Sequence, residues 1–252
     1  MTACATPTIR LTPSFAPGDE RSYLLEASAT TTIDIAGTTR QQRTRLRARS
    51  TVRILATTAE GTTMRLTLAP TTLELDGRGI TLPGEQVAEL LVASDGTIER
   101  ITSVGGVSAD IVGTDLQDLA PLLGTAMPVV PVEVGDRWTT TIEPPEGEQL
   151  APGTQSGRVS ALRVVQGFDT AIVSLATRRP LSRERTIGEQ TVQLIGVETS
   201  SSEIAFAFRE GFPVRISTIA EGNFDVGSGG VSAGTVRIVT DTEIVLEGSA
   251  SR

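Results

Sequence analysis

From Tyr23 to Leu246 the chain is written largely in period two. Tyr23 to Ile35, Arg43 to Leu55 and Thr62 to Leu75 alternate or cluster β-branched residues, with Ala36-Gly37 and Glu60-Gly61 as punctuation. Side chains two apart leave a strand on one face, so this spacing suits half-buried sheet. Leu90 to Ala93 and Ile98 to Val104 flank Ser94-Asp95-Gly96, a hairpin signal because Asp-Gly tolerates the positive φ of a tight turn. The pattern resumes in Arg137 to Ile142, Arg158 to Val165, Ala171 to Thr177, Thr191 to Val197, Glu203 to Phe208, Val214 to Ala220 and Thr235 to Leu246. Runs joined by short turns pair as antiparallel hairpins. One segment departs from the pattern. Thr114 can cap a helix, Gln117 can return the capping-box bond, and Leu116, Leu119 and Leu123 make one apolar face. The expected fold is mainly β, with curved antiparallel sheets, half-barrel or barrel-like, and one short helix at 114–123.

The two halves echo each other. Gly18-Asp19-Glu20-Arg21-Ser22-Tyr23 opens the first and Gly135-Asp136-Arg137-Trp138 the second. Asp95-Gly96-Thr97-Ile98-Glu99-Arg100-Ile101 parallels Glu210-Gly211-Phe212-Pro213-Val214-Arg215-Ile216, and Gly105-Gly106-Val107-Ser108-Ala109 recurs as Gly229-Gly230-Val231-Ser232-Ala233. These matches keep their order. They predict an N-terminal tether over 1–17, a first β module over 18–126 that ends in the short helix, and a second module over 127–252. Tyr23 and Trp138 then stand as structural anchors at equivalent strand starts.

Composition excludes several chemistries. The chain has no histidine and no lysine, so the commonest general base and the Schiff-base amine are missing. A net charge of −8 disfavours nucleic acid, whose phosphates need a basic footprint. Aromatic residues make up 3%, too few to offer stacking platforms for bases or sugars. The single cysteine permits neither an internal disulfide nor a cysteine-based zinc site.

The motifs that could carry catalysis are weak. Gly230-Val231-Ser232-Ala233-Gly234 satisfies the nucleophile-elbow pattern, but an elbow opens a helix and its serine needs a histidine. The residues after Gly234 read as strand. Paired carboxylates could serve a glycosidase, yet the acids are scattered over turns and strand faces. Asn223 to Ser228 has a faint likeness to a calcium loop but lacks the distal glutamate. No catalytic residue, no cofactor and no metal is therefore expected. Arg43, Arg45, Arg47, Arg49 and Arg53 fall at even spacing and share one strand face. They form either a patch for an anionic partner or a solvated face paired with Glu74 and Asp76 on a neighbouring strand.

Cys4 follows Thr2-Ala3, as at the end of a lipobox, and the residues from there to Pro17 carry three prolines and little periodicity. The Gly135-Asp136-Arg137-Trp138 element, placed after Val130-Pro131-Val132-Glu133-Val134, resembles a family of uncharacterised bacterial cell-envelope lipoproteins with a mid-chain Val-Gly-Asp-x-Trp element. More loosely, the chain is similar to lipid-carrying envelope lipoproteins built of curved antiparallel sheets. The resemblance implies an extracytoplasmic compartment, and the lipobox-like Thr2-Ala3-Cys4 predicts a membrane anchor at an acylated Cys4. Together these readings predict a non-enzymatic protein that binds a hydrophobic, lipid-like ligand. The alternative is a structural or protein-interaction scaffold of the envelope.

Overall fold

The computed structural model describes residues 8–14, 16–79, 84–93, 98–105, 127–144, 150–187, 190–228 and 231–248. Every regular element among them is a β-strand: β1 Glu20–Ile35, β2 Thr38–Thr57, β3 Thr62–Leu75, β4 Arg78–Gly79, β5 Gln86–Val92 and β6 Ile98–Gly105, then β7 Arg137–Ile142, β8 Gly153–Val165, β9 Phe168–Ile187, β10 Gln190–Ala207, β11 Phe212–Ser228 and β12 Val231–Leu246. Their order across one antiparallel sheet is β6-β5-β3-β2-β1-β12-β11-β10-β9-β8-β7, with β4 beside β3. The mainly β, antiparallel expectation stands. The expected helix at 114–123 lies outside the described residues.

Two expectations need correction. The halves do not form separate modules, because β1 and β12 pair from Tyr23↔Leu246 to Ile35↔Gly234 and make the sheet continuous. Separate modules would leave each of these long strands with a bare row of N–H and C=O groups. Pairing the first strand with the last satisfies both rows. The expected tether is also too long. Ile9 and Val132 exchange two backbone hydrogen bonds of 2.8 Å, the Ser14 amide donates to the Gly211 carbonyl, and Leu11 is fully buried. From residue 8 the chain is a strap packed on the core, drawn in by two aliphatic side chains among its polar neighbours.

The strands are also longer than the local pattern indicates. Thr191 to Val197 and Glu203 to Phe208 belong to the single strand β10, and Glu198-Thr199-Ser200-Ser201-Ser202 continues it without a turn. That polar run pairs in unbroken register with β9 on one side and β11 on the other.

The main core gathers at one end of the sheet. Leu25, Ala48, Ile54, Met64 and Leu90 from the first half meet Val159, Val173, Ile204, Phe206 and Val214 from the second, with Ile9 and Leu11 of the strap and Met127 and Val132 of the segment before β7 packed among them. One cluster drawing on both wings requires the sheet to curl around it. Burying each large aliphatic side chain here contributes roughly 1.5–3 kcal/mol. Four further core-facing residues, Leu194, Phe224, Val226 and Val236, form a second buried cluster toward the opposite end of the strands.

The two Gly-Asp elements adopt the same local structure beside the main core. Gly18 and Gly135 have φ of 90° and 103°, a region glycine enters without steric cost. Their amides donate to the carbonyls of Ile54 and Val159, and the amides of those residues return bonds to the Asp19 and Asp136 carbonyls. The aspartate side chains accept from the amides of Ala16 and Glu133 at 3.2 and 2.8 Å. Each partner strand then carries a bulge, between Ile54 and Ala56 in β2 and between Val159 and Ala161 in β8.

Candidate ligand-binding site

One row of residues crosses the core-facing side of the sheet between the two apolar clusters. Strand register aligns Leu75, Thr44, Ala29, Thr240, Ala220, Ser200, Thr177, Gln155 and Thr140, one from each of nine neighbouring strands. Nothing between Leu75 and Gln155 is larger than threonine. Such short side chains make a floor. Eight strand spacings carry it roughly 38 Å across the sheet. Most of its residues are half-buried, and one position further along in β11 the Phe224 ring lies over Gly222. The flanking rows are mixed: Leu73, Leu46, Ala27, Thr242, Thr218, Ser202 and Leu175 on the main-core side, and Gln42, Thr31, Ile238, Glu198 and Arg179 on the other, with the apolar clusters beyond them.

The groove is polar at the β8 end. Gln155 is 5% exposed; its Nε2 donates to Thr177 Oγ1 at 3.4 Å, while its Oε1 has no partner. The next core-facing pair, Arg179 and Glu198, forms an ion pair with Nε and Nη2 donating to Oε1 at 2.9 and 2.7 Å. Both side chains are largely buried, at 21% and 16% exposure, so the pair sits in a less screened setting than a surface bridge. Ser202 and Thr218 share a hydroxyl hydrogen bond of 2.8 Å nearby.

Trp138 closes this end. A Cβ on Gly157 would collide with its indole, so the ring lies directly over that glycine, and its Nε1 is buried without a partner. Tyr23, at the matching strand start in the first half, is buried in the main core. Burial pushes its hydroxyl pKa well above the ordinary value, against the opposing influence of Arg21. Arg21 also stacks 4.2 Å from the Phe212 ring centroid, and Phe212 packs edge-on against Phe168.

The arginine stripe lies on the opposite, outer face. All five residues are exposed. Arg47 pairs with Glu26 of β1, and Arg49 makes a two-pronged pair with Glu247. Neither takes Glu74 or Asp76, although the Arg43 backbone amide donates to Asp76 Oδ1. Arg43, Arg45 and Arg53 make no ion pair among the described residues. The open groove beside them, of about 450 Å³, is lined by Glu26, Glu74, Asp241 and Glu243 against Arg45 and Arg47. Carboxylates outnumber guanidiniums there, so the field does not favour an anionic partner. The same face carries Arg215–Glu243 and Arg237–Glu221, and the Arg237 and Asn223 bonds hold the Glu221 carboxyl down at about 2.

Asn223 and Asp225 lie within β11, not in a loop, and the Asn223 side chain donates to Glu221. Val231 opens β12, so the Gly-x-Ser-x-Gly motif runs into strand. Cys4 lies outside the described residues. Sequence reasoning missed Gln155, Arg179 and Glu198; the available signal was a glutamine between Gly153 and Gly157 at period two.

No protein-family model matches the sequence, and no curated protein matches it. Among solved structures the chain is similar to lipovitellin, in a structure titled for its lipid-protein interactions, at 13% identity and a TM-score of 0.49. That match covers 95% of this chain and 26% of the other, so the chain spans about a quarter of the lipovitellin chain. It is also similar to a DUF1329 family protein from Desulfovibrio piger at 12% identity and a TM-score of 0.20, covering 93% and 88% of the two chains.

Proposed function

We propose that this protein is a non-enzymatic, extracytoplasmic lipoprotein that binds a hydrophobic, lipid-like ligand along the core-facing groove. The observation that carries the reading is the groove itself: a floor of small side chains between two apolar clusters, on strands of 16 to 20 residues in β1, β2, β9, β10 and β12. The two apolar clusters supply the driving force for a hydrocarbon chain, and the small side chains between them supply room for it. Anchoring through an acylated Cys4 belongs to the same proposal. Among the described residues, four of the six exposed large hydrophobics, Val129, Val130, Val134 and Val164, lie at the end of the sheet where the strap packs, which suits apposition to a membrane there. The repeated Gly-Asp structure supports an origin of the two halves by duplication.

Native mass spectrometry of the Cys4→Ser protein, which lacks the acylation site and needs no detergent, purified from its own cells and followed by organic extraction, tests the reading. A reproducible lipid adduct, absent from a control protein of similar size, is the expected result. A clean apo mass would count against a carrier and turn attention to a protein-interaction scaffold.

A further inference from the structure

Among the described residues, four buried side-chain atoms lack a hydrogen-bond partner: Ser50 Oγ, Arg65 Nε, Trp138 Nε1 and Gln155 Oε1. Three of these belong to core-facing positions, and two of the three come from the neighbouring strands β7 and β8 at one end of the groove. An unmade bond of this kind costs about 1–3 kcal/mol, so a buried donor and a buried acceptor left open on adjacent strands need an explanation.

Their positions supply one. Trp138 Nε1 lies over Gly157, and Gln155 is the next core-facing residue of the same strand, roughly 6.6 Å along it. Trp138 offers an N–H, while Gln155 presents a carbonyl oxygen because its amide nitrogen is turned toward Thr177. A single oxygen about 3 Å from each would accept from the indole and donate to the amide. A hydroxyl does both, whereas a carboxylate cannot donate. Arg179, the core-facing cation next along β9 from Thr177, is already engaged by Glu198 and so is not available to hold a carboxylate. An anion buried there would remain uncompensated.

We infer that Gln155 and Trp138 form the head-group station of the groove, and that the ligand is an uncharged amphiphile bearing a hydroxyl, its tail running from Thr177 toward Ala29. This inference rests on the carrier reading and adds the polarity of the cargo and the direction in which it lies.

The test displaces a fluorescent apolar probe from the intact protein with 1-dodecanol, dodecanoate or dodecane. Wild-type protein should bind the alcohol about tenfold more tightly than the alkane, the worth of one or two net hydrogen bonds. Gln155→Leu should remove that preference and leave dodecane affinity unchanged. Trp138→Phe, which keeps a ring over Gly157 and deletes the N–H, should weaken the preference as well and serves if the first variant misfolds. Equal binding of alcohol and alkane, tighter binding of dodecanoate, or a preference that survives both substitutions would overturn the station while the groove stands. A water held between the two groups in a crystal of the loaded protein would overturn it too. Failure of all three probes to bind would remove the carrier reading itself.

Discussion

Gly157 has no side chain because the Trp138 indole occupies the space that one would need. The two residues face each other across β7 and β8, and the register Trp138↔Gly157 brings the ring over bare backbone. Gly157→Ala should therefore destabilise the protein by about 1–3 kcal/mol, as overpacking does when the neighbour is a rigid ring. Trp138 is the only tryptophan, so its fluorescence reports the change directly. A lower denaturation midpoint with red-shifted emission is expected; unchanged stability and emission would show that the indole lies elsewhere. The aromatic residue after Gly-Asp was legible as an anchor, since a large apolar side chain at a strand start must find cover. Gln155 was not legible. Gly153-Thr154-Gln155-Ser156-Gly157 has the composition of a turn, and its place in a sheet is decided by β9, which pairs with it from residues further along the chain.

At the scale of elements, local chemistry marked the strands and their antiparallel sense but not their lengths. Thr-Ser-Ser-Ser within β10 reads as a break because neither face is apolar, yet its core-facing Ser200 is a floor position of the groove and Ser202 lies beside it. Two of the in-strand prolines carry a similar lesson: Pro70 adjoins the register shift between β2 and β3, and Pro213 the one between β10 and β11, where a missing N–H is tolerated. The Gly-Asp elements are better specified. If they are equivalent, Asp19→Ala and Asp136→Ala should each cost about 1 kcal/mol through the loss of one side-chain bond to a backbone amide. Asp19 additionally contacts Arg21 at 3.5 Å, so its variant should lose no less than the other. Urea denaturation of both variants measures this. A neutral Asp136→Ala beside a costly Asp19→Ala would end the case for equivalence.

The molecule as a unit depends on a pairing that no local pattern announces. β1 and β12 are the first and last long strands, and their contact lies in the middle of the sheet, while β6 and β7, separated by only part of the chain, fall at its two ends. Period two says that each strand needs neighbours; it cannot say that the last strand will supply one for the first. The main core is likewise shared, with Leu66 and Leu90 of one half in the same cluster as Val173 and Phe206 of the other. Covalent continuity between β6 and β7 should then matter little once the protein has folded. A protease recognition sequence inserted after Gly113 and cut in the native state tests this. The fragments should remain together through gel filtration and unfold in one transition, because β1·β12 pairing and the common core hold them. Each fragment expressed alone should aggregate, since it would expose a long unpaired strand edge beside half a core. Recovery of two separately folded, soluble fragments would restore the two-module description. It would also take away the groove, whose floor crosses from β3 to β7 only while β1 and β12 stay paired.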